Sequence, residues 1–434
     1  MKVAVLGGGI AGVLSARTLA DRGYDVHLFE AAPRIGGLCR SDVVDGFVHD
    51  VAGGHVLHSR DQAVLTDMTA ALGDPVRTRR NTKIFYRDRY VKYPFENGLA
   101  DLPPEHNLEC LQGYLEAHYA RRNGSPEPAN FRDWIDWRFG AGMAQHFMVP
   151  YNEKIWCLDL ASISSQWCSG RVPEAPLDDV LKASLGMDSE GYKHQLDFYY
   201  PRHGGFESLV TAYARGIEHR IRTSTPVTEV VRDGTGFEVN GERFERIINT
   251  MPLRPLFDTL EPAAPAAIRE DIDGLQHLSL TTVLVALDRA DVAPYSWVYT
   301  PHVENGPMNR ITYLASYSPE NAPAGCSSIL AEVTSVGGSG QPDLETLERE
   351  VLAGLEAMGM VKSDWVRFAR SAFNEYAYPV HDLGFSGRIA RVLAWVEAQG
   401  IVTLGRFARY SYVNSDQVYA MVRDALADDF ESLA

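Results

Sequence analysis

The sequence predicts an α/β fold with three parts: a domain built on a parallel sheet, an inserted helical subdomain and a mixed antiparallel β-sheet domain. Three patterns along the 434 residues support this prediction. The N-terminus has the order strand, glycine turn, helix and strand. Residues 107–185 are helical and aromatic in pattern, and residues 255–390 contain alternating strand-like segments separated by proline and glycine. A chain of this length can bury a core shared by two or three domains.

The composition disfavours several classes of partner. With 45% hydrophobic and 23% charged residues, the chain is typical of soluble globular proteins. Lys and Arg number 41 against 57 Asp and Glu, and the resulting net charge of −16 repels nucleic acid and anionic membranes. The 5 cysteines include no C-x-x-C pair, so we expect neither a disulfide framework nor a metal site. The apolar run at the N-terminus is too short to span a membrane, and we expect a cytoplasmic protein.

The N-terminal elements form one βαβ unit. Val3–Leu6 is a short apolar strand, and Val26–Phe29 is a second strand. Between them, Ile10–Asp21 has helical spacing, with Gly23 as its C-terminal cap. Because such crossovers are right-handed, we expect both strands to lie parallel in one sheet with the helix packed against it.

A dinucleotide fingerprint lies between the first strand and the helix. Gly7, Gly9 and Gly12 satisfy G-x-G-x-x-G, and Glu30 follows Gly12 by 18 positions, at the end of the second strand. Gly7 permits the tight turn, Gly9 lets the backbone approach a pyrophosphate, and Gly12 lets the helix pack closely. Glu30 can accept hydrogen bonds from ribose hydroxyls. A glycine turn without a ligand is the alternative, but the placement and Glu30 both favour binding.

The residues after the second strand indicate which dinucleotide binds. Arg34, Gly36 and Gly37 complete an E-x-x-x-R-x-G-G stretch that begins at Glu30. This stretch resembles the flavoprotein superfamily that includes amine oxidases, protoporphyrinogen oxidase and UDP-galactopyranose mutases, in which it extends the contacts to the FAD phosphates. Taken alone, Arg34 would be an ordinary solvated charge. We therefore expect FAD as the cofactor.

Later segments predict the remaining elements. Leu280–Leu287 and Arg310–Ala315 have the pattern of strands, and Gln417–Leu433 has one apolar helical face with Ser415 available as its N-cap. The predicted boundaries are 1–85, 206–254 and 391–434 for a Rossmann-type FAD-binding domain, 96–195 for a helical nucleotide and substrate subdomain, and 86–95, 196–205 and 255–390 for the mixed β-sheet domain.

Further motifs occur in order along nearly the whole chain. They are Gly53-Gly54-His55-Val56, Tyr93-Pro94-Phe95, Pro150-Tyr151-Asn152, Gly170-Arg171-Val172, Trp297-x-Tyr299, Arg310 before Tyr317-Ser318-Pro319, Tyr378-Pro379 and Gly405-Arg406-Phe407. In this order they resemble the UDP-galactopyranose mutase family, more closely its eukaryotic-type enzymes than the compact bacterial ones. So many ordered motifs are more specific than the glycine fingerprint alone.

The resemblance implies a flavin-dependent isomerase of carbohydrate biosynthesis. Such an enzyme interconverts the pyranose and furanose forms of a nucleotide sugar, UDP-galactopyranose and UDP-galactofuranose or a related one. Reduced flavin is implied to attack the anomeric carbon through N5 and to displace the nucleoside diphosphate, so that a flavin–sugar adduct forms without net redox change. FAD is then active when reduced, by NAD(P)H or another reductant.

The resemblance also assigns residues. Arg171 and Arg310 match two diphosphate clamps, a role that suits guanidinium groups, and His55 matches a mobile loop against the flavin. Taken singly, the arginines could be solvated charges and His55 structural, just as any one aromatic could be core packing. The implied substrate-binding residues are Phe147, Asn152, Trp156, Trp297, Tyr299, Tyr378 and Tyr412. The implied cofactor-binding residues are Gly7, Gly9, Ile10, Ala11, Gly12, Glu30, Arg34, Gly36, Gly37, Leu38, Gly54, His55, Val227, Gly405, Arg406, Asp416 and Gln417.

Two segments depart from the family pattern. Residues 85–92, before Tyr93, are fewer and more charged than in the family, which leaves the nucleotide base open. The last motif is Ser411-Tyr412-Val413-Asn414-Ser415-Asp416-Gln417, where the family tends to have glycine and asparagine before the glutamine, and Ala408 stands where the family has glycine. The sugar is therefore also open, as is the oligomeric state.

Proteins of two other functional classes would have the same flavin-binding motifs. An FAD-dependent oxidase or desaturase of the amine oxidase type would consume oxygen and release hydrogen peroxide. A catalytically silent binder of flavin or nucleotide sugar would show no turnover. The two arginines, together with the tyrosines, favour the mutase.

Overall fold

The computed structural model describes residues 1–169, 171–172, 174–187, 196–290 and 293–427. Its architecture is mixed α/β, as the sequence predicts. The strands of the described residues are β1 Lys2–Leu6, β2 Asp25–Phe29, β3 Ser41–Val44, β4 Phe47–Asp50, β5 Val76–Arg79, β6 Thr82–Tyr86, β7 Arg89–Lys92, β8 Asp197–Tyr200, β9 Ile221–Arg222, β10 Val230–Arg232, β11 Phe237–Val239, β12 Glu242–Phe244, β13 Arg246–Asn249, β14 Leu260–Glu261, β15 Gln276–Leu287, β16 Trp297–Tyr299, β17 Arg310–Tyr313, β18 Ser327–Val336, β19 Val366–Val380 and β20 Ile401–Thr403. The helices are α1 Ile10–Asp21, α2 Gln62–Leu72, α3 Pro104–Arg122, α4 Phe131–Met143, α5 Val149–Trp156, α6 Leu177–Ser184, α7 Glu207–Ala214, α8 Leu253–Thr259, α9 Ala266–Asp273, α10 Leu344–Ala357, α11 Phe385–Ala398 and α12 Ser415–Ala425.

A five-stranded parallel sheet positions the N-terminal glycine turn. Its strand order is β20-β13-β1-β2-β9, so that β1 lies in the centre. Residues Val3 to Leu6 are fully buried, as expected for a parallel strand covered on both faces. Helix α1 has the predicted bounds, and Gly23 beyond its C-terminus has a φ of 85°, a left-handed conformation that suits glycine.

The second large sheet of the fold is mixed and has seven strands. Its strand order is β19-β15-β18-β17-β16-β6-β7, and every pair is antiparallel except β16 with β6. The predicted strands of this region correspond to β15, which begins earlier than predicted, and β17, which ends at Tyr313. Neighbouring strands β17 and β18 place Arg310 directly opposite Glu332.

Several predicted domain boundaries differ from the strand pairing. Strand β6 belongs to the seven-stranded sheet through its pairing with β16, although the predicted FAD-binding domain includes residues 1–85. Strand β8 pairs with β5 in a separate ladder rather than in the mixed sheet. Helices α8 and α11 cross the boundaries predicted at 254/255 and 390/391. These pairings join segments that are far apart in sequence, so local patterns do not indicate them.

The helical insertion consists of α3 to α6 and lies beside β6 and β7. Helices α3 and α4 touch through backbone: a Cβ on Gly140 would lie 2.0 Å from the carbonyl oxygen of Gly113. After α4, residues 144–148 form a wide helical turn that leads into α5 and buries Phe147. Residues 170, 173 and 188–195 of the predicted helical subdomain lie outside the described residues.

The last helix, α12, begins near the meeting point of the two large sheets. Its N-cap is Asn414 rather than the predicted Ser415, because Asn414 and Gln417 form a reciprocal capping box. The part of the predicted helix from 428 to Leu433 lies outside the described residues. Within the ranges that the structure describes, no helix is both long enough and apolar enough to cross a membrane.

Candidate active site

Three cavities share walls between the two sheets and the helical insertion. The dinucleotide cavity, of about 580 Å³, contains the glycine turn and Glu30. The central cavity, of about 260 Å³, contains Arg310. The aromatic cavity, of about 270 Å³, contains Phe147 and Arg171. Walls common to the dinucleotide and central cavities are formed by Leu38, His55, Arg406, Asn414 and Ser415. Walls common to the central and aromatic cavities are formed by Tyr93, Tyr299, Tyr378 and Tyr412.

The glycine turn leaves backbone exposed to the dinucleotide cavity. Gly7 has a φ of 101°, and a Cβ on Gly12 would lie 1.9 Å from the carbonyl oxygen of Gly7. Gly12 therefore serves the packing of α1 rather than the cavity wall. At Gly9 the nearest atom to an added Cβ would be 3.9 Å away, so this position has open space above it. The N-terminus of α1 follows at once, where its backbone N–H groups favour a phosphate.

Glu30 is held by backbone donors beside the turn. Its two carboxylate oxygens accept hydrogen bonds from the backbone N–H groups of Gly8, at 2.6 Å, and Ala32, at 2.7 Å. Each oxygen keeps a second lone pair that can accept from a hydroxyl.

The second glycine segment, Gly36 and Gly37, lies against the first glycine turn. The backbone N–H of Gly36 donates to the carbonyl oxygen of Gly8 at 2.9 Å, and Gly36 has a φ of 129°. Arg34 lines the same cavity, but its guanidinium forms an ion pair with Asp42 and lies 3.5 Å from a carboxylate oxygen of Glu207. Its charge is therefore partly neutralised by the protein itself.

Most of the predicted cofactor residues line the dinucleotide cavity. They are Gly7, Gly9, Ile10, Ala11, Glu30, Arg34, Gly36, Gly37, Leu38, His55, Val227, Gly405 and Arg406. Gly54 lines the central cavity instead. Neither Asp416 nor Gln417 lines any of these three cavities. The Gln417 side chain instead accepts from the backbone N–H of Asn414 at 3.0 Å and so caps α12. Asn414 and Ser415 occupy the wall in their place. A glycine turn with open backbone, a helix N-terminus and a cavity of this size fit FAD.

Arg310 is fixed in the central cavity by a buried carboxylate. Its Nε donates to an Oε of Glu332 at 2.7 Å, and its Nη2 donates to the carbonyl oxygen of Gly54 at 3.3 Å. Glu332 is only 2% exposed and also accepts from the backbone N–H of Gly54 at 3.0 Å. The guanidinium therefore has a fixed position while one edge remains available to the cavity.

His55 is held as a neutral imidazole between two arginines. Burial, together with the charges of Arg406 and Arg310, lowers the pKa of His55 to about 3. Its Nδ1 donates to the carbonyl oxygen of Gly53 at 2.8 Å, so its Nε2 is an acceptor, and its ring stacks on Phe206 with centroids 5.4 Å apart. A side chain in this state is poorly suited to donate a proton near neutral pH.

The depressed pKa of His55 predicts a pH effect on stability. The pKa is about 3 in the folded protein and 6.5 in the unfolded chain, so only the unfolded chain binds this proton between those values. The resulting stability is present at pH 7 and is lost as the pH falls below 6.5. We expect the free energy of unfolding of the holoprotein to drop between pH 7 and pH 5 by roughly 1–2 kcal/mol more than that of His55→Gln. Urea unfolding at constant FAD concentration measures both, and equal pH dependence would contradict a neutral His55.

Arg171 lies in the aromatic cavity, against Tyr412. Its guanidinium carbon lies 3.8 Å from the centre of the Tyr412 ring, and its Nη2 donates to the carbonyl oxygen of Tyr412. Burial lowers the pKa of Arg171, although a guanidinium remains charged in proteins. Because Tyr412 also lines the central cavity, Arg171 and Arg310 occupy neighbouring cavities on the two sides of a shared tyrosine wall. Gly170 of this motif lies outside the described residues.

Arg406 fixes the loop that carries Tyr412. Its Nε and Nη2 donate to the carbonyl oxygen of Val413 at 2.9 and 2.7 Å, and its Nη1 donates to that of Ala377 at 2.9 Å. These bonds connect the loop before α12 to β19. Arg406 thus positions the wall between the dinucleotide and central cavities.

The tyrosine wall consists of protonated hydroxyl groups. Burial raises the pKa of Tyr299 and of Tyr378. Their hydroxyls stay protonated at neutral pH and can donate to phosphate oxygens. Trp297 lines the central cavity below them, packed against Phe198 and Tyr317.

The remaining predicted substrate residues line the aromatic cavity. Phe147 stacks with both Phe95 and Tyr151, at centroid distances of 4.9 and 5.2 Å. Asn152 donates from its side chain to the carbonyl oxygen of Met148 at 2.7 Å, and Trp156 packs against Trp167. Because Phe147 is already sandwiched into an aromatic cluster, the surface that it offers to a ligand is shared with its neighbours.

Among the side chains of the site that the sequence analysis does not predict, four are central to its chemistry. Glu332 and Glu96 are buried carboxylates, and Tyr93 and Tyr151 are aromatic walls. The i, i+4 spacing of Phe147 and Tyr151 would have indicated that both lie on one face of the helix. No local signal indicates Glu332, since it meets Arg310 only when β17 and β18 pair.

Comparisons with known proteins agree with this architecture. A crystal structure of reduced UDP-galactopyranose mutase superimposes with a TM-score of 0.88 at 24% identity, covering 100% of this chain and 97% of that one. A putative protoporphyrinogen oxidase from Exiguobacterium sp. 255-15 superimposes with a TM-score of 0.74 at 19% identity, covering 98% of each chain. At these identities the likeness establishes the fold.

Sequence relatives indicate the wider family. Polyamine oxidase 2 of Arabidopsis thaliana is 24% identical over 331 residues, which are 73% of this chain and 63% of that protein. The match thus spans less than two thirds of the relative's length. The family model of flavin containing amine oxidoreductases matches residues 10–387. The chain therefore belongs to the flavin containing amine oxidoreductase family.

Proposed function

We propose that this protein is an FAD-dependent nucleotide-sugar mutase that interconverts pyranose and furanose forms, with UDP-galactopyranose and UDP-galactofuranose or a related nucleotide sugar as substrate. The observation that supports it is the continuity of the three cavities, which joins a dinucleotide site to an arginine-bearing centre and then to an aromatic pocket. A nucleotide sugar has the matching parts: a sugar next to the cofactor, a diphosphate in the middle and a base at the far end.

The residues of the chain have distinct tasks in this proposal. Bound and reduced, FAD would supply a nucleophilic N5 to the anomeric carbon. Arg310 and Arg171 stabilise the charge of the departing diphosphate from two sides, and the hydroxyls of Tyr299 and Tyr378 donate to its oxygens. The aromatic walls exclude water, which keeps the diphosphate in place for its return. In this proposal the neutral His55 neither donates a proton to the substrate nor takes one from it.

The charge of the central cavity favours the mutase over an amine oxidase. Arg80, Arg310 and Arg406 line this cavity, and Asp197 is the acidic residue among its walls. Asp197 is itself paired with Arg77 at 2.6 Å. Such a surface suits an anionic substrate and repels a cationic polyamine. The oxidase remains the second candidate because polyamine oxidases are among the sequence relatives.

The direct test uses the reduced holoprotein. Dithionite-reduced protein is incubated with UDP-galactofuranose and with a panel of UDP-, GDP-, CDP- and ADP-sugars, and the products are separated by chromatography. Conversion between ring forms without consumption of the reductant supports the mutase. No conversion of any sugar, together with oxygen-dependent peroxide release on polyamines, would replace the mutase by the oxidase.

Arg171→Ala should weaken substrate binding selectively. Arg171 lies in the aromatic cavity, away from the glycine turn, so FAD should stay bound while KM for the nucleotide sugar rises about tenfold or more. Steady-state kinetics and the flavin absorbance of the purified protein measure the two effects. Arg132→Ala is the control, since Arg132 is a partly exposed arginine of α4 that is paired with Asp136 and lines none of the three cavities. Loss of flavin from Arg171→Ala would place this residue at the cofactor instead.

A further inference from the structure

A network of two histidines and a tyrosine lies behind the aromatic cavity. Tyr86 is fully buried on β6, and its hydroxyl oxygen is 2.9 Å from Nδ1 of His106 on α3 and 2.9 Å from Nδ1 of His146 in the wide turn. Nε2 of His146 lies 2.6 Å from a carboxylate oxygen of Glu109. Nε2 of His106 lies 3.4 Å from Nη1 of Arg87. The five side chains thus form one continuous series of polar contacts.

The two ends of this series fix the direction of each hydrogen bond. A carboxylate only accepts, and a guanidinium only donates. When both histidines are neutral, His146 donates from Nε2 to Glu109, so its Nδ1 accepts from the Tyr86 hydroxyl. His106 accepts at Nε2 from Arg87, so its Nδ1 donates to the Tyr86 oxygen. Each group then has a partner of the matching kind, and burial raises the pKa of Tyr86, which keeps its proton.

A proton on either histidine removes this match. If His146 is protonated, its Nδ1 becomes a donor, and the Tyr86 hydroxyl must turn to His106. His106 must then present an N–H to the guanidinium of Arg87, which is itself a donor. Protonation of His106 creates the same conflict, and burial, together with the charges of His146 and Arg87, lowers the pKa of His106. The complete network therefore requires two neutral histidines.

Other titratable groups face the network from four of the surrounding elements. They are Glu105 and Cys110 of α3, Arg89 of β7, His302 and Glu304 of the loop after β16, and Lys154 of α5. Of these residue types, histidine is the one that ordinarily changes its charge between pH 5 and 8. Burial lowers the pKa of His302, whose ring lies 5.4 Å from that of Tyr86, so the response to mild acid falls to His106 and His146.

The network contacts the wall of the aromatic cavity at two points. His146 directly precedes Phe147, and the ring of Tyr86 lies 6.3 Å from that of Phe95. Phe147 is sandwiched between Phe95 and Tyr151, and all three rings line the cavity. A shift of the wide turn would therefore move the whole aromatic wall. Because wide helical turns are rare in proteins, a side-chain anchor is expected to hold this one in place.

We propose, building on the proposed mutase function, that Tyr86 and His146 are positioning residues for the nucleotide. Their hydrogen bond holds the wide turn, so that the aromatic wall keeps the shape that the nucleotide requires. Because the bond has this direction only while both histidines are neutral, mild acid weakens nucleotide binding and leaves FAD bound.

The first test compares nucleotide affinity at two pH values. The FAD-bound protein is titrated with UDP, GDP, CDP and ADP by isothermal calorimetry at pH 7.5, and the nucleotide that binds most tightly is titrated again at pH 5.5. We expect the wild type to lose at least about threefold more affinity than His146→Asn, in which an amide oxygen accepts from Tyr86 but takes up no proton. The nucleotide phosphates titrate equally in both measurements. An equal loss in the two proteins would overturn the requirement for a neutral histidine.

Tyr86→Phe tests the anchor itself. Without the hydroxyl, both Nδ1 atoms lose their shared partner, and we expect nucleotide affinity at pH 7.5 to fall about fivefold or more while FAD stays bound. Tyr119→Phe is the control, because it removes a hydroxyl from an exposed position of α3 and should leave the affinity unchanged. Wild-type affinity in Tyr86→Phe would remove the positioning role and leave the mutase proposal intact.

Hydrogen exchange separates this inference from the function on which it rests. In the nucleotide-free holoprotein, amides of residues 144–148 should exchange faster in Tyr86→Phe than in the wild type, whereas those of α10 should exchange equally. Unchanged exchange in the turn would overturn the anchor. Faster exchange without binding of any of the four nucleotides would support the anchor and reject the nucleotide-sugar function. The comparison of the wild type with His146→Asn decides the inference even if Tyr86→Phe does not fold.

Discussion

Replacing Arg310 by methionine should lower turnover on a nucleotide sugar by roughly 10²–10³-fold while FAD stays bound. The guanidinium lies in the central cavity, between the dinucleotide site and the tyrosine wall, where the charge of a departing diphosphate would develop. Methionine fills similar space without a donor or a charge. Steady-state kinetics on the reduced enzyme, together with the flavin to protein absorbance ratio, measure this effect.

The same substitution should also destabilise the fold. Glu332 is 2% exposed, and without Arg310 its carboxylate loses the guanidinium that neutralises it. Breaking a buried ion pair in this way costs about 3–5 kcal/mol of unfolding free energy. The double variant Arg310→Met with Glu332→Gln removes the uncompensated charge and should recover much of that loss, as measured by urea unfolding.

The double variant separates the structural role of Arg310 from its catalytic role. If Arg310 stabilises the diphosphate, turnover stays low in the double variant although stability returns. Recovered turnover would show that Arg310 acts only by neutralising Glu332. Arg269→Met is the control, because it breaks an exposed pair with Asp258 and should change stability by less than about 1 kcal/mol.

The fold could be predicted where the determining contacts are local. Helix α1 begins at Ile10 and ends at Asp21 as predicted, because the glycine turn before it and the left-handed Gly23 after it are both visible in sequence. At the start of α12 the local signal was ambiguous: Asn414 and Ser415 are both good N-caps. Gln417 three positions after Asn414 decides between them, and the same contact removes Gln417 from the cavity wall.

The site could be predicted only in part, because much of its chemistry depends on strand register. Arg310 was found through a motif, whereas the carboxylate that fixes it lies 22 residues away on the neighbouring strand. Similarly, β6 joins the mixed sheet by pairing with β16, across more than two hundred residues. Such pairings depend on tertiary packing rather than on propensity, so a single sequence does not indicate them.

Alanine substitutions at two glycines of the turn should have different effects: Gly12→Ala should destabilise the fold, and Gly9→Ala should weaken cofactor binding. In Gly12→Ala the new Cβ would lie 1.9 Å from the carbonyl oxygen of Gly7 and 2.9 Å from Oγ1 of Thr250. No side-chain rotation relieves a contact with backbone, so α1 must move away from β1. We expect a loss of roughly 4 kcal/mol or more in unfolding free energy, with little soluble protein.

Gly9→Ala should keep the fold and lose the cofactor. Gly9 has a φ of −71°, which alanine adopts easily, and its nearest neighbour would be 3.9 Å from the new Cβ. The methyl group enters the open space above the turn, where a pyrophosphate would approach the backbone. We expect thermal unfolding of the apoprotein to match the wild type, while FAD affinity falls at least about tenfold. If Gly9→Ala binds FAD as the wild type does, the FAD phosphates cannot lie against this turn. The dinucleotide cavity would then not be the cofactor site, and the order of the three cavities would no longer support the proposed function.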